Sequence, residues 1–285
     1  QRHKAHAPRA EKAERLFGDL LKREDLKLVI GDITMPVAVE DKIDYIIHCA
    51  SITTSKIMIS RPVDVIRTSL NGTENLLELA KEKQVRSMVY VSSMEMYGVL
   101  NLQDDQMVTE EMTGYLNPLA LRSNYPESKR MCENMCVAYG TQYEVPVKIA
   151  RLAQTFGAGV LPGENRVFAQ FARSAMKGSD IVLHTEGKSE GNYCYTADAV
   201  RALLTILVII LQNNYTTKRC IHKQYFDACV PEAGIDRYNK NGCVALRKEA
   251  ARSAFCRWPC SDGIYLGISY LKAALRSARS PAVLS

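Results

Sequence analysis

Along the chain, short runs of consecutive apolar residues alternate with longer stretches whose apolar positions recur every three or four residues. The runs read as strands: LKLVIGD at Leu26–Asp32, IDYIIHCAS from Ile43 toward Ser51, RSMVYVSS at Arg86–Ser93 and VPVKIARL at Val145–Leu152. The periodic stretches read as helices. Ala10–Lys22 carries Ala13, Leu16, Phe17, Leu20 and Leu21 at helical spacing, Pro62–Lys83 carries Val63, Ile66, Leu70, Leu76, Leu77 and Ala80, and a helix is expected over Arg122–Tyr139. Strands separated by helices in this rhythm imply right-handed crossovers and a parallel α/β sheet covered on both faces. Ligands of such sheets bind beyond the carboxyl ends of the strands. Asp32, His48, Ser51, Ser93 and Gln154 all fall at such ends.

Composition narrows the picture only a little. At 285 residues the chain can bury one large core or two smaller ones, and its 47% hydrophobic and 24% charged content is ordinary for a globular protein. The longest apolar run, Ala202–Leu211, includes Thr205 and falls well short of the ~20 residues that span a bilayer, so no membrane partner is expected. The opening QRHKAHAPRAEKAER is basic but lacks the apolar segment of a secretory signal, which points to the cytoplasm. Nine cysteines occur without CxxC or Cys/His ligand spacing, so they read as packed thiols and no metal is expected. A net charge of +6, unclustered over most of the chain, suits a small phosphate-bearing ligand and does not call for nucleic acid.

The stretch with chemistry in it is NYPESK, Asn124–Lys129. On a helix, Tyr125 and Lys129 lie one turn apart on one face, and an ammonium beneath a phenol favours the phenolate. Such a tyrosine can serve as a base for a substrate hydroxyl. A lone Tyr-x-x-x-Lys is more often a half-exposed tyrosine beside a solvated lysine, so context has to decide.

The context is an ordered series: GDIT, HCAS, NGTENLLELA, VYVSSMEMYG, YPESK, ARLAQTFGAG and NYCYTADAV. It resembles the extended short-chain dehydrogenase/reductase family over roughly 11–211, nearest to nucleotide-sugar epimerases and dehydratases of the UDP-glucuronate decarboxylase type. The resemblance implies a Rossmann-type sheet, bound NAD, a nucleotide-sugar substrate, and a homodimer formed by packing Pro62–Lys83 and Asn124–Gly140 into a four-helix bundle through exposed apolar stripes. It implies Ser93, Glu95, Tyr125 and Lys129 as catalytic residues. Asp32, Ile33, Ala50 and Ser51, with Tyr125 and Lys129, would border the cofactor, and Ser93, Gln154 and Arg166 would meet the substrate. His48 reads as a packed strand residue rather than a base.

Departures from the family pattern matter as well. No G-x-x-G-x-x-G turn occurs, so the first strand and turn of the family are expected to be missing and NAD to bind weakly, leaving the chain as given inactive or nearly so. Met94 stands where hexose 4,6-dehydratases often have Asp, Ser69 and Gln154 where many relatives have Asn, and Gly191 where many have a diphosphate-clamping Arg; Arg166 or Lys188 could compensate for the last. The expected division is an NAD-binding domain at 1–155, a substrate-binding portion at 156–212 with a helix returning to the core, and an atypical segment at 213–285 that holds Trp258 and reads as frameshifted or foreign, or else as an irregular substrate-binding lobe. The implied activity proceeds through a 4-keto sugar, with Glu95 and Met94 favouring decarboxylation or epimerisation over 4,6-dehydration. A catalytically silent binding or scaffold module is the competing reading, favoured by the missing turn and by Gly191.

Overall fold

The computed structural model describes residues 14, 17–26, 28–103, 106, 108–157, 163–164, 166–183 and 192–208, with the backbone of two short strands at 218–220 and 245–246. In chain order its elements are β1 (Tyr45–His48), α1 (Ser55–Ser60), α2 (Pro62–Glu82), β2 (Ser87–Ser93), α3 (Asn124–Gln142), β3 (Val147–Leu152), β4 (Gln154–Phe156), α4 (Val167–Lys177), β5 (Ile181–Val182), β6 (Tyr193–Tyr195), α5 (Thr196–Val208), β7 (Lys218–Cys220) and β8 (Ala245–Leu246). The described residues up to Ala153 and from Asp198 to Cys220 form one compact unit, and Gln154–Ala197 with β8 form a second.

In the first unit the sheet runs β1-β2-β3-β7, with every neighbouring pair parallel. Its central strands carry an apolar middle, Met88–Val91 in β2 and Val147, Ile149 and Ala150 in β3, because both faces are covered. Met88 and Tyr90 of β2 and Val147 and Ile149 of β3 pack against Leu77, Leu79 and Ala80 of α2 and Cys132 and Cys136 of α3. Val89 and Ala150, on the other face, pack against Leu203, Ile206 and Leu207 of α5. Fully burying each Val, Leu or Met contributes roughly 1.5–3 kcal/mol, so these two layers carry the unit. Helix α2 opens on Pro62, and Pro126 lies in the first turn of α3; in both places the missing N–H had no helical partner to lose. Gly72 of α2 leaves room for Ile33, whose side chain would stand 3.1 Å from a Cβ there, and Asn75 Nδ2 donates to Ile33 O at 2.9 Å.

The second unit pairs β4 with β6 in parallel, Gln154 opposite Tyr193 and Phe156 opposite Tyr195. Phe168 of α4 meets the edges of Phe156 and Tyr193, with ring centres 5.1 and 6.0 Å away. Strand β5 pairs antiparallel with β8.

Two sequence expectations are corrected. Leu26–Asp32 is not a strand: its described residues make no ladder, and Leu26, Leu28, Val29 and Ile30 stay exposed. Among the described residues β1 ends the sheet and this run does not pair with its outer edge, so it stands outside the ladder, and a strand without a partner leaves its backbone groups unsatisfied by the sheet. The helix expected over Ala10–Lys22 is described only in part, and its described end is a 3-10 helix, Gly18–Lys22, because Gly18 takes φ +47° and breaks the right-handed path. Lys188, Gly191, Trp258 and nearly all of 213–285 lie outside the described residues. No helix among the described residues is long and apolar enough to cross a membrane.

Candidate active site

Strand β2 delivers Ser93 to the carboxyl edge of the sheet. There its Oγ accepts from the Glu95 amide at 3.2 Å and opens a 3-10 turn over Met94–Tyr97. The turn is fixed from two sides. Gly98 leaves it at φ +68°, with the Tyr115 carbonyl only 2.6 Å from where a Cβ would stand. Arg130 of α3 donates to the carbonyls of Met96 and Gly114, each at 2.7 Å, and Tyr97 at 3.4 Å. The residue that follows Lys129 on the helix therefore holds the turn that carries Ser93 and Glu95.

Helix α3 brings Tyr125 to the same place. Ser93 and Ser51 hydroxyls face the phenol and favour its ionised form, as does the Arg122 guanidinium, whose carbon lies 5.9 Å from the ring centre; Glu95 opposes them. Ser51 Oγ nevertheless closes no hydrogen bond, and Arg122 Nη1 and Asn124 Oδ1 are likewise buried without a partner. Burial outweighs all of these and holds the Tyr125 phenol above its ordinary value. The Lys129 ammonium lies 5.7 Å from the Tyr125 ring centre but donates to Val91 O at 2.8 Å, and burial pulls it down to about 8. The expected lowering of the phenol by Lys129 alone is thus replaced by a balance in which desolvation wins.

A polar layer lies behind. His48, 2% exposed, meets Thr73 Oγ1 at 3.0 Å, and that hydroxyl donates to Cys132 Sγ at 3.3 Å. The His48 Nε2 proton is therefore the donor and Nδ1 is left as an acceptor with no partner. Burial, with the Lys129 charge, lowers His48 to about 4, so it is neutral at pH 7. One turn beyond Lys129, Glu133 takes Arg151 of β3 through both carboxylate oxygens, at 2.6 Å for the shortest contact, and accepts from Ser92 Oγ at 2.6 Å. Arg151 also donates to Glu110 O at 2.7 Å, which completes a buried pair.

The structure brings Ser51, Ser93, Glu95, Tyr125 and Lys129 together, with exposed Ala50 beside Ser51. Asp32 and Ile33 sit in a loop on α2, where Asp32 Oδ1 accepts from the amide and hydroxyl of Thr34 at 3.0 and 2.9 Å. That is the turn-capping role a strand-end aspartate can equally fill. Gln154 and Arg166 belong to the second unit: Gln154 N donates to Asn192 O at 3.1 Å, while Arg166 pairs with Glu164 at 2.7 Å and stacks over Phe168. Sequence reasoning passed over Arg122, Arg130 and the Glu133–Arg151 pair. Only the last had a signal: Glu133 follows Tyr125 and Lys129 at four-residue spacing, and a carboxylate on that buried face requires a cation.

Comparison with known proteins gives the geometry relatives. Residues 2–213 match the family described as the NAD dependent epimerase/dehydratase family. A UDP-glucuronic acid decarboxylase 1 from Xenopus tropicalis is 31% identical over 184 residues, 65% of this chain and 42% of that protein. A UDP-glucuronic acid decarboxylase 6 from Arabidopsis thaliana is 32% identical over 184 residues, 64% and 51% of the two chains. The chain thus spans about half the length of these curated relatives. Among solved structures, the dTDP-glucose 4,6-dehydratase of Bacillus anthracis in complex with NAD superposes with a TM-score of 0.55 at 22% identity, covering 67% of this chain and 58% of that one, a likeness of fold.

Proposed function

Because the chain belongs to the NAD dependent epimerase/dehydratase family, we propose that its Ser93–Tyr125–Lys129 edge is an active site that modifies a nucleotide sugar through a 4-keto intermediate. The observation that carries this reading is the convergence of Ser93, Ser51, Glu95 and Arg122 on the phenol of Tyr125, with Lys129 one turn below. The residues present suit the nicotinamide end of the dinucleotide, whereas the chain has no glycine-rich turn for the pyrophosphate, so binding is weak and millimolar cofactor is needed to load the site and give turnover. Ser51 Oγ is buried without a partner beside the phenol, exposed Ala50 next to it presents only a methyl group to whatever approaches, and the Lys129 ammonium, 5.7 Å from the Tyr125 ring centre, would be the donor for a ribose hydroxyl. Tyr125, Lys129, Ser51 and Ala50 would hold that end, and the Asp32–Ile33 loop the adenine end. When bound, the dinucleotide supplies a reversible hydride acceptor.

The chain's own groups do the proton work. Tyr125, as phenolate, takes the proton of the sugar C4 hydroxyl as C4 is oxidised, and Ser93 donates to the same oxygen and holds it in line. Lys129, charged below about pH 8, stabilises the phenolate that burial alone disfavours. Oxidation to the 4-ketone acidifies C5. A C6 carboxylate is then a β-keto acid: carbon dioxide leaves with cleavage of C5–C6, the electron pair stays on C5 as the enolate, C5 is protonated, and C4 takes back its hydride and proton; Glu95 is the carboxyl group we assign to proton transfer at C5. Met94 offers no proton to a departing C6 hydroxyl, which favours decarboxylation or epimerisation over 4,6-dehydration. The reading places the enzyme in the cytoplasm as a homodimer, its apolar exposure on α2 and α3 including Val63, Ile66 and Met131.

The competing reading, a catalytically silent binding module, draws on the engagement of Asp32 with Thr34 and of Glu95 with Arg122. Incubation with UDP-glucuronate at millimolar NAD, followed by mass spectrometry, separates the two. Conversion of the sugar supports the enzyme; binding of the sugar without any conversion supports the silent module.

A further inference from the structure

Arg122 belongs to no motif and takes no step in the mechanism above, yet its guanidinium carbon lies 5.9 Å from the Tyr125 ring centre. It leaves the 3-10 turn Leu121–Ser123 just ahead of α3, and Asn124 pins that turn by donating to Met58 O and Leu121 O at 2.6 and 2.5 Å. Its Nη2 serves both oxygens of Glu95, at 2.9 and 3.1 Å. Its Nη1 is buried and makes no hydrogen bond at all. A guanidinium has two edges that suit a carboxylate, and a buried N–H without a partner is a cost the fold bears unless a ligand meets it. Arg122 is therefore half used. Two more buried polar atoms without a partner belong to residues adjoining Tyr125, Ser51 beside its phenol and Asn124 next to it in the chain.

The position of Arg122 Nη1 selects a substrate group. A sugar whose C4 hydroxyl meets the Tyr125 phenol carries its C6 substituent on the adjacent ring carbon, so C6 falls near the same wall. A neutral CH2OH there has no need of a guanidinium, and a carboxylate beside Glu95 is repelled unless a cation stands between them. We propose that Arg122 is the specificity residue for a C6 carboxylate: it selects nucleotide-linked uronic acids, and Glu95 is its resting counter-ion. The substrate carboxylate takes the open Nη1 edge, draws the guanidinium from Glu95, and so frees the Glu95 carboxyl group for proton transfer at C5. This deepens the proposed function and rests on it.

Calorimetry on the intact chain at millimolar NAD, with UDP-glucuronate and UDP-glucose as the two probes, tests it. The wild type should prefer UDP-glucuronate. Arg122→Leu should weaken UDP-glucuronate binding by roughly 10- to 100-fold, the loss of a charge-assisted pair, and leave UDP-glucose nearly unchanged. Arg122→Lys, which keeps the charge and loses the fork, should fall between. Glu95→Gln should widen the preference, because a repelling carboxylate is gone, and adding Arg122→Lys in that background should narrow it again, which a merely structural Arg122 would not do. Circular dichroism of each variant guards against misfolding; if Arg122→Leu does not fold, the Arg122→Lys and Glu95→Gln results decide the matter. Binding of both sugars without preference, or equal losses for both in Arg122→Leu, overturns the inference and leaves the proposed function standing. Failure of the wild type to bind either sugar overturns both.

Discussion

Protonation at the single-residue scale follows from burial. His48 is held near 4 in the folded chain against an ordinary 6.5, so the unfolded chain binds the extra proton between those values. Stability is fully present above about pH 6.5 and is lost as pH falls toward 4, by roughly 3 kcal/mol for a gap of this size. Urea unfolding at pH 7 and pH 4.5 should show this loss in the wild type and a clearly smaller one in His48→Gln, which retains a donor toward Thr73. Equal acid sensitivity in both proteins would remove His48 as the cause. Lys129 predicts a different limb. Its charge disappears as pH rises through about 8, so turnover should decline above that value while the fold gains stability, because the unfolded lysine still binds its proton up to about 10.5. A rate that stays flat through pH 9.5 would show that the ammonium is not needed. Ser93, Tyr125 and Lys129 were legible because motif order fixes them. The state of the phenol was not, since it depends on how deeply the folded chain buries it and on Arg122, which no motif marks.

Between elements, the tie that matters is Glu133 of α3 to Arg151 of β3, both buried, with Ser92 of β2 as a third member. Breaking one partner leaves the other charged and unpaired, so Glu133→Gln or Arg151→Met should cost about 3–5 kcal/mol, and the double change to apolar residues distinctly less than the sum. Additive losses in a denaturant double-mutant cycle would mean that the pair is not coupled. Gly98 is the second such point. Gly98→Ala must accept φ +68° and a carbonyl 2.6 Å from its methyl, so it should cost about 1–3 kcal/mol and loosen the turn that holds Ser93 and Glu95. Unchanged melting and unchanged substrate affinity would show that the turn tolerates a side chain. Strands β1, β2 and β3 and helices α2 and α3 were readable because two-sided burial writes continuous apolar runs and helical faces into the sequence. Leu26–Asp32 has the same apolar pattern and forms no strand, because a strand is a property of a pair and its neighbour is not visible in its own residues.

For the whole molecule, the parallel order β1-β2-β3-β7 with helices on both faces sets the carboxyl edge where Ser51 and Ser93 meet Tyr125. Sequence pattern anticipated this edge, and it also anticipated Asp32 at a strand end, which the structure makes a capped loop on α2 instead. Sedimentation should find a dimer if the apolar exposure on α2 and α3 is an interface; a purely monomeric folded chain would argue against it. The central claim is that the Tyr125 phenol removes the C4 proton of a nucleotide sugar. Proton NMR of UDP-glucuronate incubated with the chain at saturating, millimolar NAD tests it most directly. The account predicts that the ring signals of the starting sugar give way to those of a product with the wild type, and that Tyr125→Phe, folded and still binding the sugar, slows this by about 100-fold or more. Conversion at an undiminished rate by Tyr125→Phe, or none by the wild type, would contradict it.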